Sequence, residues 1–124
     1  MSSEQREAVR YVPKKNAYAA LGRGVTLVGQ INDISKGGVA FEHLIHLDGE
    51  KNNFNDIDIF LEGQEFFLHG LSCVQVYDSP VNAGAVFDPL LITKRCGVKF
   101  GLLTDKQMSK LEYFLENHTI GPSI

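Results

Sequence analysis

The sequence contains no apolar run near the ~20 residues that a helix needs to span a bilayer, so insertion in a membrane is not expected. The first residues, Met-Ser-Ser-Glu-Gln-Arg-Glu, lack the apolar stretch of a secretory signal, which makes the cytoplasm the expected compartment. Cysteine is scarce. Cys73 and Cys96 each sit within an apolar run, where a thiol behaves as a small hydrophobe, and neither a disulfide nor a redox role is expected. There is no nucleophile elbow, no phosphate-binding loop followed by Lys and Ser, and no paired-cysteine metal motif. His43 and His46 are three apart on a strand and point to opposite faces, so they do not chelate one ion together. Asp56 and Asp58 alternate with Ile57 and Ile59 and read as the solvated face of a sheet rather than a catalytic carboxylate pair. The expectation is a protein that is not an enzyme and carries no cofactor or metal.

What is present is the composition of one soluble domain: 124 residues, 44% hydrophobic and 22% charged. The net charge of -3 disfavours general DNA or RNA binding, yet charge is unevenly spread. Residues 1–23 hold Arg6, Arg10, Lys14, Lys15 and Arg23 against Glu4 and Glu7, a net +3, which leaves -6 on the remainder. A basic arm on an acidic body can gather an anion locally. A small barrel binding single-stranded RNA is the remoter reading, since no obvious stacking platform of aromatic residues is visible.

Alternation of Val25, Leu27 and Ile31 predicts a strand, and Val39, Phe41 and Ile45 predict its hairpin partner beyond the turn at Asp33 to Gly38. Ile57, Ile59 and Leu61 predict a third strand after a polar loop at residues 48–53. Phe66 to Leu68 and Leu71 to Tyr77 supply further strand signal, closed by Asp78-Ser79-Pro80, with another loop at residues 82–84. In the last strand, Cys96, Val98, Phe100 and Leu102 share the core face, and Arg95, Gly97, Lys99 and Gly101 the other. Thr104-Asp105-Lys106-Gln107 is a capping box with Leu103 and Met108 in staple positions, and Met108, Leu111, Phe114 and Leu115 form the apolar stripe of a helix. Gly121-Pro122 ends any continuation. These signals predict an all-β domain, a small closed antiparallel barrel or sandwich with one terminal helix over an opening. The expected organisation is a mobile basic arm at 1–23, the barrel and helix at 24–118, and a tail at 119–124.

Two local patterns carry chemistry. Arg6 and Arg10 are spaced so that both guanidinium groups reach one side, and such forks suit phosphate oxygens and the O6/N7 edge of guanine. The hairpin turn then offers a carboxylate at Asp33, a hydroxyl at Ser35, and Gly37 and Gly38 for close backbone approach or positive φ.

In that order and at that separation, Arg-Glu-Ala-Val-Arg at 6–10 and Asp-Ile-Ser-Lys-Gly-Gly at 33–38 resemble the two signature motifs of the PilZ family. Gly97-Val98-Lys99-Phe100 and the capped helix are similar to that family's closing strand and helix. The resemblance implies a six-stranded antiparallel β-barrel closed by a C-terminal helix, a bacterial receptor that binds the second messenger cyclic di-GMP. It implies Arg6 and Arg10 on phosphates and guanine edges, Asp33 on a guanine, and Ser35, Gly37 and Gly38 supporting the ligand, with Arg95 as a further candidate. Closure of the arm over the ligand would alter the surface shown to a downstream effector protein. The alternative is a PilZ-like adaptor that binds a protein and no nucleotide. One messenger molecule or a stacked pair remains open at this point.

Overall fold

The computed structural model describes residues 9–22, 27–46, 55–81 and 91–122. The strands are β1 (Tyr11–Pro13), β2 (Ala17–Leu21), β3 (Leu27–Ile34), β4 (Gly38–His46), β5 (Asp56–Leu61), β6 (Phe67–Pro80) and β7 (Leu91–Phe100), followed by helix α1 (Asp105–Asn117) and β8 (Thr119–Pro122). Six of them close a ring in the order β2-β5-β6-β7-β4-β3, with β3 pairing back to β2, and every pairing is antiparallel. Closure leaves the ring without a free edge. The remaining two strands form a ribbon on β3, with β1 beside it and β8 outermost.

The expected barrel and helix are therefore present. Alternation fills the interior with Ile57, Ile59 and Leu61 from β5, Val39 and Phe41 from β4, and Cys96, Val98 and Phe100 from β7. Both cysteines are buried and free. The capping box forms as expected: the Gln107 amide donates to Thr104 Oγ1 at 3.1 Å and the Thr104 amide to Gln107 Oε1 at 3.0 Å. From that start α1 buries Leu111, Phe114 and Leu115 against the barrel, and Lys110 Nζ ties it to the Phe67 carbonyl at 2.7 Å.

Four expectations need correction. Residues 11–13 and 17–21, assigned to the arm, are strands, because Ala17, Ala19 and Leu21 alternate inward and are fully buried. Residues 119–122, assigned to the tail, form β8 against β1, with Tyr11 opposite Pro122. Leu102 is 95% exposed rather than on the core face, because β7 ends at Phe100 and Gly101 donates instead to the Ser72 carbonyl. Asp58 is more than a solvated carboxylate, since its Oδ1 accepts from the Gly70 amide at 2.7 Å and meets His69 Nδ1 at 3.0 Å. The segments at 23–26, 47–54 and 82–90, which include Val25 and two of the expected loops, lie outside the described residues.

Two β-bulges decide which residues face outward. In β3 the register with β4 shifts between Ile31 and Asp33, so Ile31 and Ile34 are both buried although three positions apart. The extra residue, Asn32, turns Asp33 away from the core, where uninterrupted alternation with Ile31 would have put it. In β6 the register with β7 shifts between Gln75 and Tyr77, which turns Tyr77 out opposite Gly97 and brings Asp78 opposite the buried Cys96.

Candidate functional site

Asp33, turned outward by the first bulge, meets Arg10 from the segment entering β1. Arg10 Nε donates to Asp33 Oδ1 at 2.6 Å, with the two side chains 45% and 25% exposed. The two patterns singled out in the sequence are thus joined by a direct ion pair. An arginine has five N–H donors, and this contact uses the Nε one, leaving the Nη groups for other acceptors.

The turn beneath them is organised by Ser35, which is only 1% exposed. Its amide donates to the Gly38 carbonyl at 2.8 Å and its Oγ accepts from the Gly37 amide at 3.0 Å. The Gly37 carbonyl accepts in turn from the Phe100 amide at 2.8 Å, locking the turn onto β7. Gly38 serves close approach and not positive φ: a β-carbon there would lie 2.3 Å from the Val98 carbonyl oxygen.

Arg10, Asp33, Ser35, Gly37 and Gly38 all line one open groove of about 720 Å³ on the outer face of the barrel. That volume falls within the ~300–1,000 Å³ usual for small-ligand sites. Its opposite wall is Val76, Tyr77, Gly97 and Lys99. The lining therefore combines two cations, one carboxylate, glycine backbone and an aromatic ring, a set suited to an anion that carries flat heterocycles. Arg6 lies outside the described residues.

Arg95 is the remaining candidate and stands next to this set. Its Nη2 donates to Glu42 Oε2 at 3.0 Å, and Asn32 Nδ2, from the bulge, donates to the same oxygen at 2.8 Å. The Arg95 hydrogen bond, with support from Asn32 and from the arginine charge, outweighs desolvation and holds the Glu42 carboxyl below the usual glutamate range. The same bond raises Arg95, with smaller contributions from the nearby Tyr77 and Asp33.

Tyr77, Val76 and Lys99 were not singled out from the sequence as site residues. The available signal was the break in alternation along Val74-Gln75-Val76-Tyr77, where two apolar residues follow one another. It leaves Val74, Val76 and Tyr77 exposed.

A second groove, of about 600 Å³, lies on the other side of the same segment and is lined by Val9, Tyr11, Lys36, Glu112, Glu116 and Ile120 among others. Arg10 faces one groove while its neighbours Val9 and Tyr11 face the other, the alternation of an extended chain. Lys36, inside the turn, pairs with Glu112 of α1 at 3.1 Å. His43, which was considered for metal binding, is buried and shares a 3.0 Å contact with Asp78, and the side chain of His46 lies outside the described residues. Among the described residues no group of three His, Cys, Asp or Glu is gathered, and no helix there is long and apolar enough to cross a membrane.

Fold and groove together define a small closed barrel with an outer-face site joined to its entering strand. No family model and no curated protein sequence matches the chain. Solved structures do. The PilZ domain of YcgR from Escherichia coli, with c-di-GMP, superposes with a TM-score of 0.66 at 14% identity over 92% of this chain and 91% of that one. YcgR from Escherichia coli in complex with c-di-GMP gives 0.60 at 18% identity, covering 88% of this chain and 43% of that one. The MrkH–c-di-GMP complex from K. pneumonia gives 0.66 at 14% identity, covering 90% and 51%. The chain has the PilZ-like fold, and it spans about half the length of the latter two proteins.

Proposed function

We propose that the outer groove is a receptor site for cyclic di-GMP. The observation that carries this reading is the convergence of Arg10 with Asp33, Ser35, Gly37 and Gly38 on one groove of about 720 Å³. In this reading Asp33 fixes Arg10 through Nε and leaves its Nη fork to a phosphate or to guanine O6 and N7. The second oxygen of Asp33 accepts from a guanine N–H, Lys99 balances phosphate charge, and Arg6 joins as the arm closes. Ser35 and the two glycines keep the turn shaped for close approach. The PilZ-like fold, found in neighbours described with c-di-GMP, supports the same ligand.

The output is a changed surface. Because Val9 and Tyr11 line the second groove, closure of the arm ahead of Arg10 over the ligand alters the face beside α1, where a downstream effector protein would dock. The role is that of a bacterial, cytoplasmic, non-enzymatic receptor with no cofactor beyond its ligand. Calorimetric titration with cyclic di-GMP tests it and counts the molecules bound: saturable heats are expected, weakened in Arg6→Ala, Arg10→Ala and Asp33→Ala. No heat at high ligand concentration would rule it out and favour an adaptor that binds protein alone.

A further inference from the structure

Tyr77 stands in the wall opposite Arg10 and Asp33, and its position is set by more than its strand. The second bulge turns it out of the barrel directly opposite Gly97. There the Cδ2, Cε2 and Cζ atoms of its ring lie 2.7, 2.1 and 2.6 Å from where a β-carbon of residue 97 would stand. The ring thus occupies the space that any side chain at 97 would fill, leaning across β7 instead of projecting into solvent. Tyr77 is still 42% exposed, so the packed side is matched by an open one within the groove.

The neighbours suit a base on that open side. Val76, 63% exposed, extends the apolar wall. Lys99 and Arg95 share the outward face of β7 with Gly97, two positions to either side of it. Arg95 is held by Glu42, close enough to Tyr77 for the two to interact electrostatically. Guanine carries O6 and N7 together on one edge, and a base lying on the ring with that edge toward Lys99 would meet a cation of the groove lining. Every base offers a π-face to an aromatic ring, so stacking supplies affinity while the Arg10 and Asp33 side supplies the choice of base.

We infer that Tyr77, seated on Gly97, is the stacking platform for a guanine of the bound dinucleotide. The inference rests on the cyclic di-GMP reading of the groove. Three variants test it by titration with cyclic di-GMP: Tyr77→Ala, Tyr77→Phe and Tyr77→Trp. Loss of the ring should weaken binding about 5- to 150-fold, while phenylalanine stays near wild type. The chain has no tryptophan, so Tyr77→Trp introduces a single indole whose fluorescence guanine stacking should quench as ligand is added. That signal reads the stack even if the alanine variant does not fold. Wild-type binding with full affinity in Tyr77→Ala, or no quenching in a Tyr77→Trp variant that binds, overturns the platform and leaves the receptor reading intact. Tyr77→Phe as weak as Tyr77→Ala would assign the contact to the phenol oxygen and overturn stacking. No binding by the wild type removes the receptor reading, and the platform with it.

Discussion

Arg10 and Asp33, 23 positions apart in sequence, form an ion pair of 2.6 Å at the rim of the groove. The pair is exposed enough that water screens it, and such pairs contribute about 0–1 kcal/mol to stability. Arg10→Ala and Asp33→Ala should therefore fold normally, with urea midpoints close to wild type, while both lose affinity for cyclic di-GMP. A large loss of stability in either variant would instead assign the pair a structural role.

Gly38 should behave in the opposite way. A β-carbon at this position meets the Val98 carbonyl oxygen at 2.3 Å, and backbone cannot swing aside as the end of a flexible side chain can. Gly38→Ala should lose about 1–3 kcal/mol in urea unfolding, the range for overpacked sites. Unchanged stability would mean that β4 and β7 separate at this register more easily than their continuous pairing implies.

Glu42 gives the outer face a dependence on acid. Its carboxyl is held below the ordinary value of 4.5, first by the Arg95 hydrogen bond. A carboxylate that holds its proton less tightly when folded stabilises the fold above its unfolded pKa, and that contribution is lost as pH falls through the folded value. Unfolding of wild type and Glu42→Gln should accordingly differ in favour of wild type at pH 7, with the gap narrowing below pH ~4.5. A gap that stays constant down to pH 3 would contradict this account.

The two thiols should be inert in the folded protein. Burial pushes Cys73 up to about 11, with a smaller push from the Asp56 charge, and Cys96 up to about 12, with Asp78 adding to it. The thiolate is the reactive form. A thiol reagent at pH 8 should label neither cysteine in buffer and both in denaturant; prompt labelling of the native chain would show that the β6–β7 wall opens readily.

Strong periodicity made the central hairpin, β5, the core face of β7 and the start of α1 legible from sequence. What escaped it was structure with a weak apolar signature. Ala17 and Ala19 fill the narrow interior beside β5 with small side chains, so β2 is hidden among the lysines and arginines that mark an arm. β8 contains Gly121 and Pro122, both read as ending structure, yet it needs only the ribbon partner β1. At the site, the sequence carried Asp33 and Ser35 by motif, whereas Tyr77 depends on a register shift in β6. A bulge changes the facing of every later residue on its strand, and period-two reading has no means to see it. The spacing of Ile31 and Ile34, both apolar and three apart, was the trace that the first bulge left.

The ribbon of β1 and β8 also determines how the domain is attached to anything beyond it. The two strands run antiparallel with Tyr11 facing Pro122, so polypeptide arriving before residue 9 and polypeptide leaving after residue 122 meet the barrel at one corner. Arg10 immediately precedes Tyr11 at that corner. A tether on either side, whether a fused module or a dye linker, exerts its torque on the same two-strand lever that carries the groove's arginine.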